Sequence, residues 1–221
     1  DKNKVTGGEK QMAILRQIPK VLKFIPGKAQ DLRAYFISMQ YWLAGSEENI
    51  ESLFCYLLSR YSSLHNSSKV EIKSPVEYPE TGLYHPDIPK KITENISEIP
   101  FAKHSIGTVG LLLMRSYVLS GDTAHYDQVI RSLEAQGLNV IPTFAAGLDA
   151  RPAINKYFVQ NAKASIDTFL SLTGFSLVGG PAYNSSKAAE EALAELDVPY
   201  IAAHAIEFQN LNQWDKSDGG L

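Results

Sequence analysis

Between Ile106 and Thr173 the chain alternates short apolar runs with amphipathic stretches. Val109–Met114, Val140–Ala145 and Asp167–Leu172 are apolar runs of strand length, and Val198–Ala203 is a fourth. The stretches after the first three runs repeat apolar residues at helical spacing. The first carries Tyr126, Val129, Ile130 and Leu133, the second Ala153, Ile154, Tyr157 and Phe158, the third Ala189, Ala192, Leu193 and Leu196. Such alternation predicts parallel strands, because the connection must be long enough to bring the chain back to the same end. Strands apolar on both sides predict helices on both faces of the sheet. With right-handed crossovers, the expected fold is α/β. A helical lead-in precedes a flavodoxin-like (Rossmann-like) parallel sheet of these four strands, in the order 2-1-3-4.

The first part of the chain reads as helix. Residues 11–25 are apolar at helical spacing, with Pro19 expected to kink the helix and Pro26-Gly27 to end it. From Asp31 to Leu43 the pattern puts Leu32, Tyr35, Phe36, Met39 and Leu43 on one face. Gly45 is a natural stop and Ser46 a natural cap for the next helix. That helix places Ile50, Leu53, Phe54, Leu57, Leu58 and Tyr61 on what should be a buried stripe, with Cys55 among the small buried hydrophobes. Residues 62–100 then break into a proline-punctuated connection, with a short strand expected near Val70–Ile72. Within it, Tyr84-His85-Pro86-Asp87 reads as an ordered turn. The domain division expected is a helical segment 1–62, an irregular connection 63–105, an α/β domain 106–206 and a polar tail 207–221.

The formal charge of −3 is spread along the chain without a basic stripe, which argues against a nucleic-acid partner. One cysteine excludes an intrachain disulfide. No apolar run approaches the roughly 18 residues a membrane-spanning helix needs. The opening without Met and the close on SDGGL read as a piece of a longer polypeptide.

Candidate chemistry gathers where parallel strands end, at the switch point between the first and third strands. The loops facing it are Arg115–Gly121 and Thr173–Gly180. Arg115 and Ser116 follow a buried strand, where a guanidinium suits a carboxylate. His125 falls in the first turn of a helix. Thr173, Gly174, Gly179 and Gly180 belong to a turn leading to a helix start, which favours an anion. Its G-x-x-x-x-G-G spacing matches neither the dinucleotide fingerprint nor the phosphate loop. The five histidines are isolated, so no metal-ligand spacing is present.

Several strings together resemble one family: KAQDLRAYFISMQYWLAGSEENIESLF, GLYHPDIP, VGLLLMRSYVLSGDTAHYDQVIRSLEAQGLNVIPTFAAGLDARPAINKYF, SLTGFSLVGGPAY and LDVPYIAAHAIEFQ. They are similar to the large porphyrin-binding subunit of magnesium chelatase, in its bacteriochlorophyll-branch wording, within a superfamily that includes the large subunit of cobalt chelatase. The resemblance implies a fragment from the N-terminal half of that subunit. It implies protoporphyrin IX and Mg²⁺ as substrates, and ATP hydrolysed by two AAA+ type partner subunits rather than here. Further implied partners are the remaining domains of the same polypeptide, and the expected location is cytoplasmic, with peripheral membrane association as the alternative. Arg115, Ser116, His125, Thr173, Gly174, Gly179 and Gly180 are then candidate porphyrin or anion contacts. No catalytic residue carries over.

Overall fold

The computed structural model describes residues 17–62, 72–179, 185–204, 206 and 209–219. The chain groups into two units, residues 1–78 with 119–121, and residues 79–118 with 122–221.

The larger unit is built on a six-stranded sheet. Its strands are β1 (Thr81–Tyr84), β2 (Ile92–Thr93), β3 (Gly107–Met114), β4 (Leu138–Ala145), β7 (Thr168–Ser171) and β8 (Tyr200–Ala202). They stand in the order β2-β1-β4-β3-β7-β8. The β3–β4, β3–β7 and β7–β8 pairs are parallel. Numbered by themselves, the four parallel strands stand in the order 2-1-3-4, as the apolar runs predicted. A two-stranded hairpin, β5 (Val159–Gln160) and β6 (Lys163–Ala164), lies outside this sheet.

Alternation along β3 splits the core. Leu112 joins Ile141 and Phe169 on one face, under α5 (Arg151–Tyr157) and α6 (Ser186–Leu196). Leu111 and Leu113 join Val140 and Phe144 on the other, under α4 (Ala124–Ala135) with Tyr126 and Ile130. The helix signals act as read. Gly137 closes α4 at φ +81, and the Ser185 hydroxyl accepts from the Ala188 amide to start α6. A five-residue helix, α7 (Leu211–Asp215), lies in the polar tail.

Two expectations need correction in this unit. The proline-rich connection is not irregular throughout, because β1 and β2 lie within it and extend the sheet in antiparallel fashion. β1 is four residues long and contains Gly82, too short for alternation to be legible. Gly82 is required there, since a Cβ would sit 2.5 Å from the Phe144 ring. Residues 115–120 are also not a loop but a short helix, α3 (Arg115–Ser120). The strand expected near Val70–Ile72 falls largely on residues outside those described, and Ile72 itself is in no strand.

The Tyr84–Asp87 turn is ordered, with Tyr84 and His85 buried and Asp87 exposed. The Tyr84 hydroxyl donates to Asp127 Oδ1 at 2.6 Å. His85 is fully buried; its Nδ1 accepts from the Asp87 amide at 3.2 Å. That leaves the ring proton on Nε2, which lies 3.0 Å from Glu134 Oε1. Arg131 closes the network on Asp87 at 2.7 Å.

The smaller unit contains α1 (Ala29–Ala44) and α2 (Glu47–Tyr61). Gly45 ends α1 in the left-handed region at φ +66. The Ser46 hydroxyl caps α2 by accepting from the Asn49 amide. Ile37, Tyr41, Leu53 and Tyr56 form the contact between the two helices.

The buried faces differ from the predicted ones. On α1 the buried residues are Ala34, Ile37 and Tyr41, while Leu32, Tyr35 and Leu43 are exposed. On α2 they are Asn49, Ser52 and Leu53, while Phe54, Leu58 and Tyr61 are 61%, 51% and 59% exposed. Cys55 is half-buried. The reason lies in Asn49. Its Nδ2 donates to Ser46 Oγ at 2.9 Å and to the Val76 carbonyl at 3.0 Å, and its Oδ1 accepts from the Val76 amide at 2.9 Å. Two of these three hydrogen bonds, both to Val76, turn the Asn49 side of α2 toward the chain at 72–78, and the apolar stripe is rotated away.

Candidate functional site

The parallel strands β3, β4, β7 and β8 all point their carboxyl ends to one edge. Because β3 and β7 are neighbours, with Leu112 opposite Ser171, their following residues share that edge. Arg115 and Ser116 begin α3 directly after β3, and the turn 173–179 leaves β7. Arg115 and Thr173–Gly174 are therefore brought to a common rim, as the topology required.

Most of the candidate groups are engaged within the chain. Arg115 donates through Nε to the Pro79 carbonyl at 3.1 Å. Ser116 is exposed. His125, in the first turn of α4, lies against Tyr126 with ring centroids 3.9 Å apart and edge-on to Tyr117 at 5.4 Å. Tyr126 in turn accepts from the Met114 amide at 3.1 Å, which joins this aromatic group to the end of β3.

The glycine turn is similarly tied down. Thr173 Oγ1 lies 3.1 Å from Ser171 Oγ and accepts from the Phe175 amide at 3.3 Å. Gly174 adopts φ +68, and a Cβ there would lie 3.4 Å from the His204 ring. His204, just past β8, thus stands beside this turn. The Gly179 amide donates to the Leu148 carbonyl at 2.8 Å, and Ala150 donates to the Leu177 carbonyl at 2.9 Å. The Gly179 amide is thereby taken up by the loop after β4. Gly180 lies outside the described residues. On that same loop, Arg151 holds Asp149 in a fork, with Nη2 2.6 Å and Nε 2.9 Å from its carboxylate.

A second concavity was not anticipated from the sequence. It is a cleft of about 510 Å³ in the smaller unit, lined by residues near Pro19–Phe24, by α1 and by residues 72–75. Four cations line it, Lys20, Lys23, Arg33 and Lys73, and among the described residues no carboxylate does. Phe24, Tyr41 and Tyr56 supply aromatic surface. The Tyr41 hydroxyl donates to the Lys73 carbonyl at 2.6 Å, and burial holds it above the usual phenol range. The Tyr56 hydroxyl is buried with no hydrogen-bond partner among the described residues. No spacing rule links positions 20, 33, 56 and 73, so the cleft exists only once the helices pack.

Among the described residues no group of three or more His, Cys, Asp or Glu side chains stands together as a metal ion would need. No described helix is long and apolar enough to cross a membrane.

Comparison with known proteins agrees with this architecture. The catalytic subunit of cobaltochelatase from Mycobacterium tuberculosis superposes with a TM-score of 0.55 at 19% identity, over 98% of this chain and 18% of that one. At that identity the likeness is one of fold. The magnesium-chelatase H subunit of Cereibacter sphaeroides is 57% identical over 220 residues, 100% of this chain and 18% of the relative. Its counterpart in Rhodobacter capsulatus is 57% identical over 213 residues, 96% of this chain and 18% of the relative. The chain thus spans about a fifth of the length of these relatives. A domain of unknown function, DUF3479, matches residues 1–36. The CobN/Magnesium Chelatase family model matches residues 39–221, which takes in α2, the whole sheet and its carboxyl edge. With sequence and fold in agreement over most of its length, this chain belongs to the CobN/magnesium chelatase family.

Proposed function

We propose that the chain is part of the porphyrin-binding subunit of a magnesium chelatase. In this reading the intact subunit inserts Mg²⁺ into protoporphyrin IX, on the route to (bacterio)chlorophyll, while two AAA+ type partner subunits hydrolyse ATP. The observation that carries it is 57% identity across the chain to the H subunits of two bacterial magnesium chelatases.

In this reading the α/β domain has a supporting role. Mg²⁺ sheds its waters reluctantly and prefers oxygen ligands. Placing it on four pyrrole nitrogens requires an enclosed site that strips that water and accepts two protons. Carboxylates or histidines in a cluster would do this, and the described residues hold no such cluster. The rim at Arg115, Ser116, His125, Thr173, Gly174 and Gly179, continued by Gly180, is the expected functional edge of the sheet. Its internal hydrogen bonds favour shaping and positioning over direct capture of porphyrin. The connection and the α/β domain are read as parts of a scaffold in a cytoplasmic enzyme.

A cobalt chelatase large subunit is the second reading, favoured by the CobN/Magnesium Chelatase family model, which takes in both kinds of chelatase. The test is reconstitution of the full-length subunit with its ATPase partners, offering Mg²⁺ and Co²⁺ separately and following metalloporphyrin absorbance. ATP-dependent formation of Mg-protoporphyrin is expected. Turnover confined to Co²⁺ would select the second reading, and turnover with neither metal would overturn both.

A further inference from the structure

We propose that the cationic cleft in the smaller unit binds a flat apolar ring compound carrying two or more carboxylates. The inference deepens the chelatase reading and rests on it where the ring compound is named as a porphyrin.

The cleft has the volume of a small-molecule site, about 510 Å³, against roughly 300–1,000 Å³ for typical ligand pockets. Its charge is one-sided. Lys20, Lys23, Arg33 and Lys73 line it, and none is ion-paired to a described carboxylate. Cations gathered without anions repel one another, so an occupant supplying negative charge would be favoured.

The cations come from three separate places: the segment after residue 17, helix α1, and the segment after residue 71. That spread suits carboxylates at separate corners of a wide molecule better than a single phosphate chain, which sequential amides of a glycine turn would cradle. Lysine ammonium groups on flexible stems act as point charges and can follow such corners. Arg33 is more fixed, its Nε held by the Pro19 carbonyl at 3.2 Å.

The apolar part of the ligand is specified by the walls. Phe24, 83% exposed, offers an aromatic face at the cleft. Tyr41 and Tyr56 form the inner wall, with ring centroids 6.1 Å apart. Tyr56 lines the cleft, and its hydroxyl is shielded from solvent with no partner among the described residues.

The test uses the full-length subunit and a water-soluble porphyrin dicarboxylate, deuteroporphyrin IX, with affinity read from quenching of protein and porphyrin fluorescence. A tetracationic porphyrin of the same ring size is the charge control. The cleft variant combines Lys20→Gln, Lys23→Gln and Lys73→Gln. A matched variant removes the same charge from exposed sites elsewhere, Lys90→Gln, Lys103→Gln and Lys187→Gln. Circular dichroism checks that each is folded, and Tyr56→Phe is a milder second probe.

The expected result is a loss on the order of tenfold in dicarboxylate affinity for the cleft variant, a smaller loss for Tyr56→Phe, and little change for the matched variant. Wild-type affinity should fall with added salt, and the tetracationic porphyrin should not compete. Equal affinity in wild type and cleft variant, or equal loss in the matched variant, overturns the proposal. The two readings separate in reconstitution. Mg²⁺ insertion by wild type with unchanged porphyrin affinity in the cleft variant removes the cleft and keeps the chelatase. Porphyrin binding that depends on the cleft, in a subunit that inserts no Mg²⁺, removes the chelatase and keeps the cleft.

Discussion

Gly110 lies in the middle of β3, paired with Ile141 on one side and Phe169 on the other. In Gly110→Ala the added methyl would fall 2.7 Å from Ile166 Cδ1 and 2.9 Å from two atoms of the Phe158 ring. Carbon atoms in good contact stand about 3.5–4.0 Å apart, so the overlap is roughly 1 Å on two side chains at once. Neither can withdraw to solvent. Phe158 is 0% and Ile166 4% exposed, and Phe158 stands edge-on to Phe169 with centroids 5.2 Å apart. Overpacking of this kind costs about 1–3 kcal/mol. Alanine's smaller backbone entropy in a strand offsets about 0.5–1 kcal/mol. The net expectation is a destabilisation of about 1–2 kcal/mol, or a fall in Tm of about 2–8 °C at about 2–4 °C per kcal/mol. Guanidinium titration of the chain, read by near-ultraviolet circular dichroism, gives the value. A second substitution makes the test specific. Phe158→Leu, which shortens the ring that the methyl meets, should cost less in the Gly110→Ala background than in wild type, with a coupling of about 0.5–3 kcal/mol. A Gly110→Ala protein as stable as wild type, or two additive substitutions, would refute the packing argued here between β3 and the segment 158–166.

Three further outcomes follow from the polar groups. Tyr84 is pushed up to about 12 by burial and by its hydrogen bond to Asp127. Its contribution is therefore complete below its ordinary pKa of 10.0 and is lost as pH rises through about 12. Tyr84→Phe should cost about 1–2 kcal/mol at pH 8 and flatten that alkaline loss, checked by denaturant unfolding across pH 8–12. Asn49→Ala removes three hydrogen bonds at a buried position and strands the Val76 peptide, so the smaller unit should lose about 2–4 kcal/mol, measured by thermal unfolding. Asp87 sits below the usual carboxylate range because Arg131 hydrogen-bonds to it. Its contribution is present above the ordinary carboxylate pKa and lost as pH falls through the lowered one. Arg131→Gln should remove this acid dependence, seen as a flatter stability profile between about pH 5 and 2.

Much of the α/β unit is legible in the sequence because its signals are local and redundant. Continuous apolar runs mark strands buried on both faces, and glycines and serines mark helix ends. The handedness of crossovers then leaves few strand orders, so Arg115 and the turn after β7 fall on one rim by topology alone. β1 escapes such a reading because four residues carry too little alternation, and because its partner, β4, lies 54 or more positions further along the chain. The candidate site is half legible. Residue positions follow from topology, but whether an amide or guanidinium is available depends on partners such as Pro79 and Leu148, which no spacing reveals.

The sequence by itself determined the four parallel strands of the sheet unit, their order and the chain's likeness to the chelatase family. Tertiary structure decided which sides of α1 and α2 are buried, and which cations stand together in the cleft. A helical stripe states only that one side of a helix is apolar. Which side meets its neighbour is set by the sum of all contacts, and on α2 the side that is buried carries Asn49, whose amide finds its partners on Val76 and Ser46.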